Sequence, residues 1–144
     1  MGLDAGVYKN LRGVSEKLRE HVILADAETG EIDYKESSDG VPGLDRDDLY
    51  AARFRIGNLS MVVELRGEVG DRLPGKSLLM DAVLYHFAHT GDFIALGQLD
   101  ELEREIKLIQ TGPEPLHPYL QEFLNKMSAL IDAARREQNP IVFV

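Results

Sequence analysis

Leu3-Asp4-Ala5-Gly6-Val7-Tyr8 sets apolar Leu3, Ala5 and Val7 against Asp4, Gly6 and Tyr8. This is the period-two pattern of a strand with one buried face. At the far end, Asn139-Pro140 interrupts a helical pattern and Ile141-Val142-Phe143-Val144 follows as a short apolar run. Proline can open such a strand, because its missing N–H does least harm there. Strands at both ends with helical segments between them predict an α+β fold. The expectation is a single domain over 1–144, with a small mixed or antiparallel sheet containing both terminal strands, packed against about three to four helices.

Working inward, residues 13–20 read as a short helical turn with Ser15 as its cap. His21–Ala25 and Glu31–Lys35, joined by Ala27-Glu28-Thr29-Gly30, read as a β-hairpin. Residues 36–44 have loop composition, with Gly40-Val41-Pro42-Gly43 a turn sequence. Asp45 then caps a helical turn, and Asp47 and Asp48 favour its positive end. One helix from Asp45 to Asp71 would have to carry Gly57, at a cost of roughly 1 kcal/mol against Ala. The favoured reading ends a short helix near Ala52, lets Phe54-Arg55 run extended, and starts a long helix at Asn58.

The stretch 78–87 satisfies helix and strand periodicities alike, and is read as a short helix near 75–81 followed by a strand near 82–87. Two later helices are plainer. Over 97–110, Leu99, Leu102, Ile106 and Ile109 share a face, Glu103 and Lys107 pair at i,i+4, and Gly112-Pro113 ends the helix. Over 116–137, Leu120, Phe123, Leu124, Met127, Leu130, Ile131 and Ala134 point inward.

Composition narrows function. The 144 residues include 25 Asp plus Glu against 16 Lys plus Arg, and no cysteine. Without cysteine there is no disulfide scaffold, thiolate zinc site, iron–sulfur cluster or thiol catalysis. An acidic pI near 4.9 argues against general nucleic-acid binding. The N-terminal residues lack the basic and apolar regions of a signal peptide, Gly6 spoils a myristoylation motif, and no apolar run approaches the roughly 20 residues of a membrane span. A cytoplasmic protein without membrane or nucleic-acid partners is expected, and no cofactor is implied.

Several short motifs resemble a loose set of small bacterial and phage-encoded proteins that open the same way. They are Met1-Gly2-Leu3-Asp4, Arg55-Ile56-Gly57-Asn58, Tyr85 with His89-Thr90-Gly91-Asp92, and Asn139-Pro140-Ile141-Val142-Phe143. The resemblance implies a shared fold and directs attention to those polar residues. The set has no known activity.

His89-Thr90-Gly91-Asp92 contains the minimum of a general base, an imidazole with a carboxylate to fix its tautomer. The simpler reading is a loop in which Asp92 caps the next segment and His89 bonds to backbone. His86, His89 and Asp92 would share a face only on a helix, and Gly91 and the strand assignment oppose a metal site. Arg55, Asn58 and the amide of Leu59, at a helix start, can hold an anion, with Asp4 alongside. The alternative is an Asp4–Arg55 ion pair with Asn58 only a cap. A combined pocket of Asp4, Arg55, Asn58, His89 and Asp92 requires all five on one face. No serine lies in a nucleophile elbow, no phosphate-binding glycine loop exists, the aspartates of 26–48 miss a calcium-loop register, and His117 reads as a surface residue.

Two function classes follow. Between Asp26 and Asp48, nine acidic residues face only Lys35 and Arg46, a net of -7, while the remainder of the chain is close to neutral. Such a segment can steer a basic protein partner, as an immunity protein or antitoxin does, without catalysis. The other class is a small hydrolase or transferase working through His89 and Asp92, with Arg55 and Asn58 holding an anionic group.

Overall fold

The computed structural model describes residues 2–35 and 45–144; the expected loop over 36–44 lies outside them. Strand β1 (Leu3–Tyr8) is interior to a four-stranded antiparallel sheet. Its neighbours are β4 (Tyr50–Gly57) and the C-terminal β6 (Ile141–Phe143), and β5 (Phe93–Ile94) forms the edge beyond β6. Ala5 lies opposite Phe54 on one side and Phe143 on the other. A second, two-stranded sheet is the hairpin of β2 (Val22–Asp26) and β3 (Glu31–Tyr34), which follows the short helix α1 (Glu16–Arg19). The α+β expectation is met, with both terminal strands in one antiparallel sheet.

Each face of the large sheet has its own core. Leu3, Ala5, Val7, Ile56, Ile94, Ile141 and Phe143 pack against α2 (Leu59–Arg72), α3 (Leu99–Gln110) and α4 (Pro118–Glu137). Tyr8, Val142 and Tyr50 turn the other way, to Val22, Ile32 and Tyr34 of the hairpin. The alternation read in β1 is therefore buried on both sides. Gly6 is the one position of β1 where a side chain has no room: a Cβ there would stand 2.9 Å from the Tyr50 ring.

The helices obey their sequence signals. Asn58 accepts the Met61 amide at 2.9 Å and starts α2, while Asp45 accepts the Asp47 amide at 3.0 Å and starts the 3₁₀ turn Arg46–Leu49. All seven apolar residues expected to face inward on α4 are buried. Pro118 stands at its first turn and Gln138 ends it in the left-handed region at φ 56°. Arg135 of α4 bonds Glu103 at 2.7 Å and Asp100 at 2.8 Å, tying α4 to α3.

Two expectations need correction. The extended Phe54-Arg55 segment is part of an eight-residue strand, and the short helix before it ends at Leu49 rather than near Ala52. No strand forms over 82–87. Leu79–Val83 instead make a π-helical turn, which buries Leu79 and Val83 together, and the edge strand comes later at Phe93–Ile94. The reason is a carboxylate from another helix. Glu105, buried on α3, accepts the amides of Leu78 at 2.9 Å and Leu79 at 3.0 Å, so it satisfies the free N–H groups of a helical start.

Glu105→Ala leaves those two amides unpaired, with an expected loss of about 1–3 kcal/mol. A fall in urea midpoint at unchanged slope reports it, and Glu105→Gln, which keeps one acceptor oxygen, loses less. Tyrosines give a second expectation. Burial raises the pKa of Tyr8, helped by its bond to Tyr50, and burial raises Tyr34 and Tyr119 as well. A raised folded pKa contributes stability that is present below the unfolded value of about 10 and is lost as pH climbs through the folded value. Unfolding midpoints measured from neutral to strongly alkaline pH should therefore fall once pH exceeds about 10.

Candidate functional site

His89 sits between two rings, with Tyr85 at 4.5 Å and Phe143 at 4.2 Å between centroids. Its side chain is 5% exposed. The segment that carries it is locked to β6: the Gly91 amide donates to Phe143 O at 2.8 Å, and the Phe143 amide to Asp92 O at 2.9 Å. Gly91 takes φ +98°, which a residue with a side chain rarely adopts, so the turn between His89 and Asp92 depends on it.

The imidazole nitrogens settle what this pair can do. Nε2 lies 2.8 Å from the carbonyl of Val83. A carbonyl only accepts, so Nε2 carries the proton and donates. Nδ1 is buried, without a hydrogen-bond partner, and 3.5 Å from Asp92 Oδ2. That same oxygen already accepts the Tyr85 hydroxyl. A general base needs one nitrogen held and the other open to substrate. Here one nitrogen is spent on the main chain and the other is sealed from solvent.

Beside the pair lies a shallow cleft of about 350 Å³ lined by Asp81, Ala82, Tyr85, Gly91, Asp92 and Phe93. His89 does not line it. His86 turns away, bonding Ala88 through Nδ1 and stacking on Phe87, so it does not join His89 and Asp92. Among the described residues no group of three or more His, Asp or Glu is placed to hold a metal.

Asp4 and Arg55 are brought together across the β1–β4 ladder, where they lie opposite each other. Arg55 Nε is 2.7 Å from Asp4 Oδ1, yet that oxygen has no properly angled hydrogen bond, so charge couples them. Arg55 and Asn58 share a separate cleft of about 220 Å³ with Lys126 and Glu122. Lys126 Nζ donates to the Arg55 carbonyl at 2.8 Å and pairs with Glu122 at 3.3 Å. With Arg55 on Asp4, Lys126 on Glu122 and Asn58 accepting the Met61 amide, the polar groups there already have partners. The five residues named from the sequence thus form two clusters, and none of these clefts holds both.

A polar hub went unnoticed in the sequence. Glu68 accepts from Arg72, from the Tyr119 hydroxyl at 3.1 Å, and stands 3.3 Å from His117 Nε2. The Arg72 bond, first among its causes, holds the Glu68 carboxyl below the usual carboxylate range. His117, still 58% exposed, stacks on Tyr119. Only the i,i+4 spacing of Glu68 and Arg72 was a local signal; His117 and Tyr119 arrive from α4.

Comparisons with protein-family models, with curated proteins and with solved structures give no match. Roles for these residues therefore rest on geometry.

Tyr85 offers a direct check. Its bond to Asp92, more than burial, raises its pKa above the ordinary tyrosine value. In Asp92→Ala the Tyr85 titration, followed by ring-carbon NMR, should fall back toward about 10. An unchanged titration would break the assigned pairing.

Proposed function

We propose that this is a binding protein without catalytic activity, whose hairpin side receives a basic protein partner. The observation that carries the reading is the company kept by two exposed apolar side chains. Ile23 and Leu24 on β2 are 45% and 49% exposed. Asp33 lies opposite Ile23 in the ladder, and Asp26 opposite Glu31. From the turn before β4, Asp45 and Asp48 lie close enough to Tyr34 to help raise its pKa, after burial, the leading cause. The Tyr34 hydroxyl donates to Asp45 O at 2.7 Å and anchors that turn to the hairpin.

Seven carboxylates of the acidic segment fall among the described residues, against Lys35 and Arg46; Glu36 and Asp39 lie outside them. Ile23 and Leu24 are successive strand residues and point to opposite faces, so the candidate face is that of Ile23 with Asp33 beside it, an apolar side chain with charged neighbours as in the anatomy of a protein interface. A predominantly acidic rim, in which Arg46 pairs with Asp33 at 3.5 Å and the other carboxylates outnumber the bases, speeds encounter with an oppositely charged partner. The alternative, a hydrolase or transferase using His89 and Asp92, has less support because neither imidazole nitrogen faces a substrate.

The test must separate a local face from bulk acidity. Glu28→Lys/Asp48→Lys reverses charge on exposed hairpin-side positions, and Glu64→Lys/Asp132→Lys makes the same net change on exposed helical positions. With polylysine as the probe, the hairpin pair should weaken binding by roughly tenfold at low salt and the helical pair much less. Binding by the unaltered protein should fade as salt rises. Equal losses in the two variants, or indifference to salt, would overturn the reading.

A further inference from the structure

The cleft of about 350 Å³ beside the π-helical turn draws its lining from two separate segments of the chain. The turn is wider than an α-helical one. It buries Leu79 and Val83, while Asp81 and Ala82 between them line the cleft. Asp92 reaches the same cleft from beside β5, and its position is set by the fold. Its carbonyl accepts the Phe143 amide at 2.9 Å, and its Oδ2 accepts the Tyr85 hydroxyl. Gly91 leaves the space beside it open, since a Cβ there would meet nothing within 4 Å.

Neither carboxylate has a lysine or arginine partner among the described residues. The one ion-pair neighbour of Asp92 is His89, and Asp81 has none. His89 is 5% exposed, and its unpartnered Nδ1 is aimed at Asp92 Oδ2 from the protein side. Two carboxylates thus face one cleft with their outer oxygens unclaimed, beside the exposed ring of Tyr85.

Such a site attracts a cation, and its chemistry selects which kind. A hard divalent ion takes about six oxygens or more, and among the described residues no three His, Asp or Glu are grouped to hold one. An alkylammonium group asks for less. Its three N–H donors can be shared between two carboxylates. Its charge is drawn to an aromatic face, and Tyr85 is 40% exposed at the cleft. Its carbon stem can lie along Ala82 and Phe93, both half-buried. We propose that this cleft binds an alkylammonium group, carried by a free amine or by a lysine side chain, between Asp81 and Asp92 and against Tyr85. None of its lining residues belongs to the acidic segment 26–48, so the site is independent of the partner reading above.

The probe is n-butylammonium chloride, with n-butanol as the uncharged control. Binding is read from the NMR shifts of the Gly91 and Asp92 amides. Butylammonium should give saturable shifts there, and butanol at the same concentration none. Asp81→Asn, at an exposed position, should weaken binding by about fivefold, the size of one partly exposed charge pair. Glu64→Gln removes the same charge from an exposed position on α2 and should leave binding unchanged. Tyr85→Phe, which keeps the ring, should lose less than Tyr85→Leu.

Nα-acetyl-lysine methylamide separates the two sources. If it shifts the same amides with the same dependence on Asp81, the site accepts a lysine side chain; if butylammonium alone does so, the site is one for free amines. Equal shifts with butanol, no saturable shift with butylammonium, or equal losses in Asp81→Asn and Glu64→Gln would overturn the proposal. Magnesium chloride acting on these amides at lower concentration than butylammonium would make the cleft a metal site and overturn it as well.

Discussion

Leu3, Ala5 and Val7 leave water on one side of β1 while Tyr8 leaves it on the other, so the sheet must be covered twice. A chain of this size can cover one face with three helices. The second face falls to the β2–β3 hairpin, reached directly from β1 through the short turn Leu11–Gly13 and α1. The C-terminal strand completes the arrangement. β6 enters beside β1, Phe143 adding to the helical core and Val142 to the hairpin core. Asn139, just before it, donates to Tyr8 O at 2.8 Å and packs against Gly30 of the hairpin turn. The end of α4, β1 and the hairpin are thereby joined at one place.

Two buried polar groups govern the irregular chain between α2 and α3. Glu105 holds the start of the π-helical turn, and His89 Nε2 holds its last residue, Val83. Each bond to a neutral backbone group is worth only about 1 kcal/mol net. Leaving the same groups unpaired in the core costs more than making the bond gains, so the two side chains are better understood as specifying this path than as strengthening it. The imidazole that reads in sequence as a base is, in the fold, a brace between a carbonyl and two aromatic rings.

Periodicity made β1, α3 and α4 legible because each buries a regular face, and Asn58 and Asp45 were legible because capping is local. An Asp4–Arg55 ion pair was one of two readings left open beside an anion site, and the two are cross-strand neighbours 2.7 Å apart. The region 78–88 was not legible: its helical turn depends on Glu105, over twenty residues away, and an i,i+5 turn fits neither periodic template. Strand β4 was read short because Arg53 and Arg55 on its outer face look like helix or loop residues until Asp47 and Asp4 are seen beside them. The spacing of His89 and Asp92 was correct as proximity, but spacing carries no information on which nitrogen is buried. Glu68 with His117 and Tyr119 could not be assembled from sequence at all, since its members sit on two helices.

The hairpin combines terms of different range. Exposed ion pairs add little, about 0–1 kcal/mol each, but their field extends roughly a Debye length and therefore acts on encounter. Ile23 and Leu24 are already half covered, so completing their burial is worth roughly 1 kcal/mol apiece, and only on contact. None of these alone gives a stable complex against the entropy of association. Together they discriminate: an acidic partner fails on the first and a small basic ion on the second. The acidity concentrated in this one segment opposes pairing of two copies through it, because like charges would meet across such a contact, and a uniform spread of the same charge would oppose it less.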